Sequence, residues 1–210
     1  MSTSQPTAAA GSAAAQVAAL RDEPSPRPVS AHRRAYSGMI WDVIRDTVDF
    51  APGVQFDREY IAHTGAVAVL AVREDGNGDR RRAQILLIRQ YRHPLQRAFW
   101  EIPAGLLDQE GEDPADAAAR ELAEETGLAA GSIEHLITTA PSPGSSQEEI
   151  RIHLARDLRE AEGVDFERED EEAEIEIRWV PCEEILEAIG RGALTSGTLL
   201  TAVLAYLQLG

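Results

Sequence analysis

The segment from Asp113 to Leu128, DPADAAARELAEETGL, limits what this chain can fold into more than any other stretch. Asp113 stands where an N-cap belongs, Pro114 suits the first helical position, and Gly127 suits the left-handed position that ends a helix. The spacing predicts a helix over Pro114–Thr126. On it Glu121 and Glu125 lie four positions apart, hence one turn apart on one face, with Glu124 beside them. Like charges at that spacing cost about 0.2–0.5 kcal/mol per pair, and anions near a helix C-terminus also oppose the macrodipole. A solvated acidic face is the plain reading of such a helix. The alternative is a site for a hard divalent cation such as Mg²⁺ or Mn²⁺, which prefers several carboxylate oxygens.

The rest of the chain supplies strands for that helix to pack on. The first thirty or so residues are Ala, Ser and Pro with few large apolar side chains, so residues 1–34 are expected to be a flexible tail. They carry no basic start or apolar middle of the secretory kind. Residues 35–62 are expected to form an N-terminal hairpin or small sheet, MIWDVIRDTVDF and VQFDREYIA around Ala51-Pro52-Gly53. The main domain then spans 63–210. GAVAVLAV and QILLIRQY flank the turn-rich Asp75-Gly76-Asn77-Gly78-Asp79 and read as a pair of strands. AFWEI, IEHLITTA, EIRIHLA and EIEIRWV add further strands, with a loop between AFWEI and the helix. Helical patterns close the chain at Cys182 to Ile189 and Thr198 to Leu207. The fold class expected is α+β, a mixed sheet with helices on both faces as an α/β/α sandwich.

A length of 210 residues suits one such domain. With 20 Lys+Arg against 36 Asp+Glu, the net charge of −16 argues against general nucleic-acid binding, and no apolar run approaches a membrane span. The single cysteine, Cys182, excludes an intrachain disulfide and reads as structural, and a cytoplasmic location is the default. His63, His93 and His153 have no ligand-like spacing and are read as structural too.

The stretch from Gly105 through Glu112 to RELAEETGL resembles the Nudix box, G-x5-E-x7-R-E-U-x-E-E-x-G-U, in which U is a bulky aliphatic residue. Glu112, Arg120, Glu121, Leu122, Glu124, Glu125, Gly127 and Leu128 fall in register. One departure stands out: six residues, not five, separate Gly105 from Glu112. The resemblance implies the Nudix fold and a Mg²⁺-dependent hydrolase of nucleoside diphosphate derivatives, with Mn²⁺ a possible substitute. It also implies Glu121 and Glu125 as the main metal ligands, with Glu124 assisting and the Ala104 carbonyl adding a ligand; Glu125 is expected on an exposed face. Arg120 would hold one of these carboxylates by a charge-assisted hydrogen bond, and Glu112 would be a looser supporting group.

Flanking residues narrow the resemblance. Arg89-Gln90-Tyr91-Arg92, followed by Trp100-Glu101-Ile102-Pro103-Ala104-Gly105, is similar to the RQYR...WE-(L/I)-PAG stretch of ADP-ribose pyrophosphatases, and Pro143 lies fifteen positions beyond Leu128, as in that subgroup. Arg92 and Arg89 are therefore expected to grip diphosphate oxygens, Arg92 foremost. Trp100 reads more readily as a core residue than as a ligand contact. Trp41 is a candidate for stacking on adenine, with a core or interface role as the alternative, and Glu148 is a candidate metal or ribose contact. The resemblance further implies a homodimer whose N-terminal strands contribute across the interface.

Between Asp157 and Glu176 there are eleven acidic and two basic residues. In enzymes resembling this one, a glutamate on a loop before the last strand serves as the general base, which points to Glu172, with Glu171 and Glu174 behind it. The implied reaction converts ADP-ribose to AMP and ribose 5-phosphate. The competing expectations are a Nudix hydrolase of another nucleoside diphosphate derivative, or a non-catalytic sensor of ADP-ribose. The complete glutamate set and the lack of a basic helix-turn-helix oppose the sensor.

Overall fold

The computed structural model describes residues 20–161 and 175–209. Its contacts define two units, one joining Met1–His32 with Asp46–Arg58 and the other joining Arg33–Arg45 with Glu59–Gly210. In the first, the Arg27 guanidinium lies over the Phe50 ring, Phe50 packs on Phe56, and Thr47 donates to Asp57 at 2.7 Å.

Three strands, β1 (Val29–Ser37), β2 (Asp42–Ala51) and β3 (Val54–Ala62), form a sheet in the order β1-β2-β3. The hairpin between β2 and β3 turns at Gly53, whose φ of +75° is easy for glycine. The expected tail boundary at residue 34 is corrected, because β1 opens at Val29. Every residue of β1 is exposed, so no buried stripe announces it in the sequence.

The main sheet has seven strands. β4 (Ala66–Arg73), β5 (Gln84–Arg92), β9 (Ser132–Thr139), β10 (Ile150–Arg156) and β12 (Glu176–Pro181) run in the order β12-β5-β4-β10-β9, while β6 (Arg97–Glu101) pairs with β5 and β7 (Ala104–Leu106) with β4. A small two-stranded ladder joins β8 (Leu128–Ala129) to β11 (Arg159–Glu160). Three α-helices are described: α1 (Pro114–Thr126), α2 (Cys182–Gly190) and α3 (Gly197–Leu209).

β4 is buried on both faces. Ala66, Ala68, Leu70 and Val72 share a core with Cys182 and Ile185 of α2 and with Leu199, Ala202, Val203 and Tyr206 of α3. Val67, Val69 and Ala71 pack with Ala117, Ala118 and Leu122 of α1. This is the α/β/α sandwich expected from the pattern, with the alternate residues of one strand serving two helical layers. Burial pushes the Cys182 thiol up to about 11, which leaves it a packing residue.

The expected β4–β5 hairpin pairs only at Val72↔Ile85 and Arg73↔Gln84, after which the two strands part. β6 takes up the freed edge of β5, and β7 takes up the freed edge of β4. The chain crosses between them at Ile102-Pro103, where the Val69 N–H donates to the Pro103 carbonyl at 2.8 Å. The segment between AFWEI and the helix, expected as loop, thus contains a strand. It is three residues long, too short to show a period.

Candidate active site

α1 forms as its punctuation requires. The Asp113 side chain accepts from the Ala115 N–H at 2.8 Å, and Gly127, at φ +71°, donates its N–H to the Ala123 carbonyl. The buried stripe runs through Ala118, Leu122 and Glu125, at i, i+4 and i+7. Glu125 is therefore placed on the face that packs against the sheet and is only 6% exposed, which corrects the expectation of an exposed ligand. A buried carboxylate must be hydrogen-bonded. Glu125 Oε2 accepts the Ala104 backbone N–H at 3.0 Å.

β7 presents the next residue to the next turn of the helix. Gly105 pairs with Val67 and lies so close to the Glu121 carboxylate that a Cβ at that position would overlap it. Glycine is required there by space, since its φ is not in the left-handed region. The loop from β7 to α1 carries the extra residue of the box. It closes with a Glu112 N–H bond to the Gln109 carbonyl at 3.2 Å, with Gly111 at φ +81°, and returns Glu112 to the helix.

Arg120 joins the carboxylates. Its Nε and Nη2 each donate at 3.0 Å to the two oxygens of Glu112, and its Nη1 reaches Glu121 at 2.5 Å and Glu124 at 3.1 Å. Expected to hold one carboxylate, it holds three, and the firmest grip is on Glu112. The guanidinium keeps the Glu112 carboxyl below the usual range, and Glu112 in turn raises the Arg120 pKa. Burial drives Glu121 the other way, raising its pKa against the pull of Arg120.

Three carboxylates thus surround one guanidinium, and a fourth, that of Glu125, is held by the backbone of Ala104 next to Gly105. The donor set is all hard oxygen, two of the groups are largely buried, and the glycine leaves a cradle at Glu121, a combination that fits a divalent cation. Among the described residues, no three acidic, histidine or cysteine side chains are gathered about a single point as a ready metal site. Arg120 already engages Glu121 and Glu124, so those two carboxylates would exchange Arg120 for the cation. Ala104 contributes its N–H to the cluster, a contact the sequence reading did not include.

The two arginines expected at the diphosphate separate. Arg92 lies on the side of β5 shared with Leu86 and Ile88, which pack in the α1 layer, whereas Arg89 follows Ile85 and Leu87 onto the opposite face. Arg92 Nε donates to Glu101 at 2.9 Å, and Glu101 is a site neighbour that sequence reasoning missed although it lies within the WEIPAG stretch. Arg89 pairs with Glu176 at 3.8 Å and stands opposite Trp100, which packs against the α2–α3 core. Trp41 stacks on His63 with ring centroids 5.7 Å apart, and Glu148 approaches the same imidazole at 3.7 Å. Glu172, with Glu171 and Glu174, lies outside the described residues.

A helix that brings Glu121 and Glu124 to Arg120 together with Glu112 of the preceding loop, and packs Glu125 against a Pro-Ala-Gly segment, in an α/β/α sandwich is the arrangement of a Nudix enzyme. The NUDIX domain family model matches residues 62–200, and the chain belongs to that family of hydrolases, which generally use divalent metals. It is 39% identical over 170 residues to the ADP-ribose pyrophosphatase of Mycobacterium tuberculosis, covering 81% of this chain and 78% of that protein. The ADP-ribose pyrophosphatase of Bacillus subtilis is 35% identical over 180 residues, covering 85% of this chain and 91% of its own length. A crystal structure described as an ADP compounds hydrolase shares the fold, with a TM-score of 0.73 at 19% identity over 90% of this chain and 96% of that one.

Proposed function

We propose that this enzyme hydrolyses the diphosphate bond of ADP-ribose with Mg²⁺, Mn²⁺ serving as a substitute, to give AMP and ribose 5-phosphate. The observation that carries the reading is the join between β7 and α1, where Ala104 holds Glu125 and Gly105 makes room for Glu121. It is what a cation-assisted attack on a diphosphate needs, and the names of the relatives supply the substrate class.

Bound at these carboxylates, a divalent cation would neutralise diphosphate charge and lower the pKa of an attacking water. Glu121 and Glu125 would hold it, with Glu124 assisting. Arg120 and Glu112 orient those side chains between turnovers. Arg92, on the α1 side of β5, grips a diphosphate oxygen through a planar fork that it now shares with Glu101. Glu172 accepts the proton of the attacking water on its carboxylate. The water oxygen bonds to one phosphorus in line, the bridging P–O bond breaks, and the leaving phosphate carries away the electron pair.

We place the reaction in a cytoplasmic homodimer. The end of β1 and its connection to β2 leave Tyr36, Met39 and Ile40 exposed, apolar surface of the kind a second copy would cover. Light scattering at micromolar concentration is expected to give twice the chain mass, and a monomer there would end the dimer proposal. The deciding experiment for function is a panel of ADP-ribose, nucleotide sugars, dinucleoside polyphosphates and NADH with Mg²⁺ and with Mn²⁺, resolved by product identity. AMP from ADP-ribose at the highest kcat/KM is expected. Preference for another member, or binding of ADP-ribose without cleavage, would overturn the assignment.

A further inference from the structure

The link from β3 to β4 is built around a buried imidazole. His63 has a side chain only 5% exposed, and its Nδ1 accepts the Gly65 N–H at 2.9 Å. A backbone N–H can only donate, so Nδ1 carries the lone pair and the ring proton sits on Nε2. That nitrogen faces Glu148 Oε1 at 3.7 Å, closer than unrelated surface groups but longer than a hydrogen bond. One face of the ring is covered by Trp41, at 27° between planes.

The backbone around Glu148 is stitched to the same link. The Ile61 N–H donates to the Ser145 carbonyl, the Gln147 N–H to the Ile61 carbonyl, and the Ala66 N–H to the Glu149 carbonyl. Gln147 Nε2 donates to the His63 carbonyl at 3.3 Å, and the Glu148 N–H donates to Ser146 Oγ. The main chain on both sides is thus held in place, and the Nε2–H edge of His63 faces the carboxylate of Glu148. On the far side, the Gly65 carbonyl accepts the Leu107 N–H at the end of β7, so this link abuts the strand that aligns Glu121 and Glu125.

We propose that His63 is a positioning residue for substrate recognition: from a ring locked by Gly65 and capped by Trp41, its Nε2–H orients the Glu148 carboxylate toward a substrate hydroxyl. This rests on the reading of Glu148 as a substrate contact in ADP-ribose hydrolysis. His63 itself touches no substrate. A neutral N–H directed at one carboxylate oxygen leaves the other oxygen to accept, which is how an imidazole sharpens a carboxylate's direction without cancelling its charge. The same ring fixes Trp41, so both candidate ligand contacts of this region depend on one residue.

Two substitutions separate the ring's two nitrogens. His63→Asn keeps an acceptor near Gly65 and loses the reach to Glu148, whereas His63→Gln keeps a donor at the Nε2 position. With ADP-ribose, His63→Asn is expected to raise KM about tenfold or more with a smaller change in kcat, as Glu148→Gln does, and His63→Gln to stay within a few-fold of wild type. The double variant His63→Asn/Glu148→Gln is expected to be no worse than Glu148→Gln alone. Additive losses, equal impairment by His63→Gln, or a wild-type KM for Glu148→Gln would overturn the proposal. Nitrogen-15 NMR of the histidines gives a readout free of turnover: His63 protonated on Nε2, with that resonance shifted in Glu148→Gln. A proton on Nδ1, or no shift, overturns the proposal even where His63→Asn fails to fold. A wild type that cleaves no ADP-ribose would instead sink the functional reading, and the NMR result would still judge the positioning.

Discussion

The Ala104 N–H donates to Glu125 Oε2 at 3.0 Å, so a backbone group of a three-residue strand holds the one buried carboxylate of the helix. The bond links the two segments of the box, the Pro-Ala-Gly approach and the glutamate helix, at a single atom pair.

Glu125→Gln keeps an oxygen for Ala104 and removes a charge from the core. Turnover is expected to fall by about 100-fold or more, while the thermal midpoint changes little or rises, because keeping a charge out of water in the core is a cost in the metal-free protein. Near-normal turnover in steady-state kinetics would remove Glu125 from the ligand set.

Gly105→Ala puts a methyl group where the Glu121 carboxylate lies. Overpacking of this kind costs about 1–3 kcal/mol, so denaturant melts are expected to show that loss along with a collapse of activity. If the variant were as stable and as active as wild type, the close approach of β7 to α1 would be wrong.

Glu121 carries its charge against burial, and its folded pKa stands above the unfolded one. The sign follows from linkage: ionised Glu121 subtracts stability at pH values above the folded pKa, and the penalty disappears as pH falls below the unfolded carboxylate range. In chelator, Glu121→Gln is therefore expected to melt above wild type at pH 7, with the difference shrinking toward pH 4. Glu112, lowered by Arg120, has the opposite sign: its support is present above the unfolded pKa and is lost as pH falls through the depressed folded value. A Glu121→Gln difference that stays constant over that range would refute the burial argument.

Arg92 and Arg89 stand on opposite faces of β5, and only Arg92 shares the α1 side. Arg92→Ala is expected to raise KM for ADP-ribose about tenfold or more, and Arg89→Ala to change it by less than threefold. Equal effects would show that the diphosphate lies elsewhere.

Glu172→Gln is expected to lower kcat by about 100-fold with KM within a few-fold of wild type, since a general base acts in the chemical step. Parallel assays of Glu171→Gln and Glu174→Gln identify the base, and an unchanged kcat in Glu172→Gln would move it to another residue.

Local chemistry made α1 legible in the chain itself. Asp113, Pro114 and Gly127 act within one or two turns, so cap, start and stop are written in neighbouring residues, and helical spacing by itself brings Glu121, Glu124 and Glu125 together. The same held for β4, β5 and β10, whose apolar runs or alternation are long enough to carry a period. Other features depended on residues far apart in sequence. β7 exists because β4 and β5 part after two pairs and leave an edge to be filled, which no three-residue pattern can express. Glu125 is buried because the stripe of Ala118 and Leu122 happens to end on it where the sheet lies overhead. His63 looked like an isolated histidine; its bond from Gly65 is local, and only the folding of residues 142–149 onto 61–66 gave it Glu148 as a neighbour. Short-range sterics and hydrogen bonding set the helix and its charges from sequence alone. The pairing of distant strands, which is settled by whole-sheet packing, decided which of those charges is buried and what holds it.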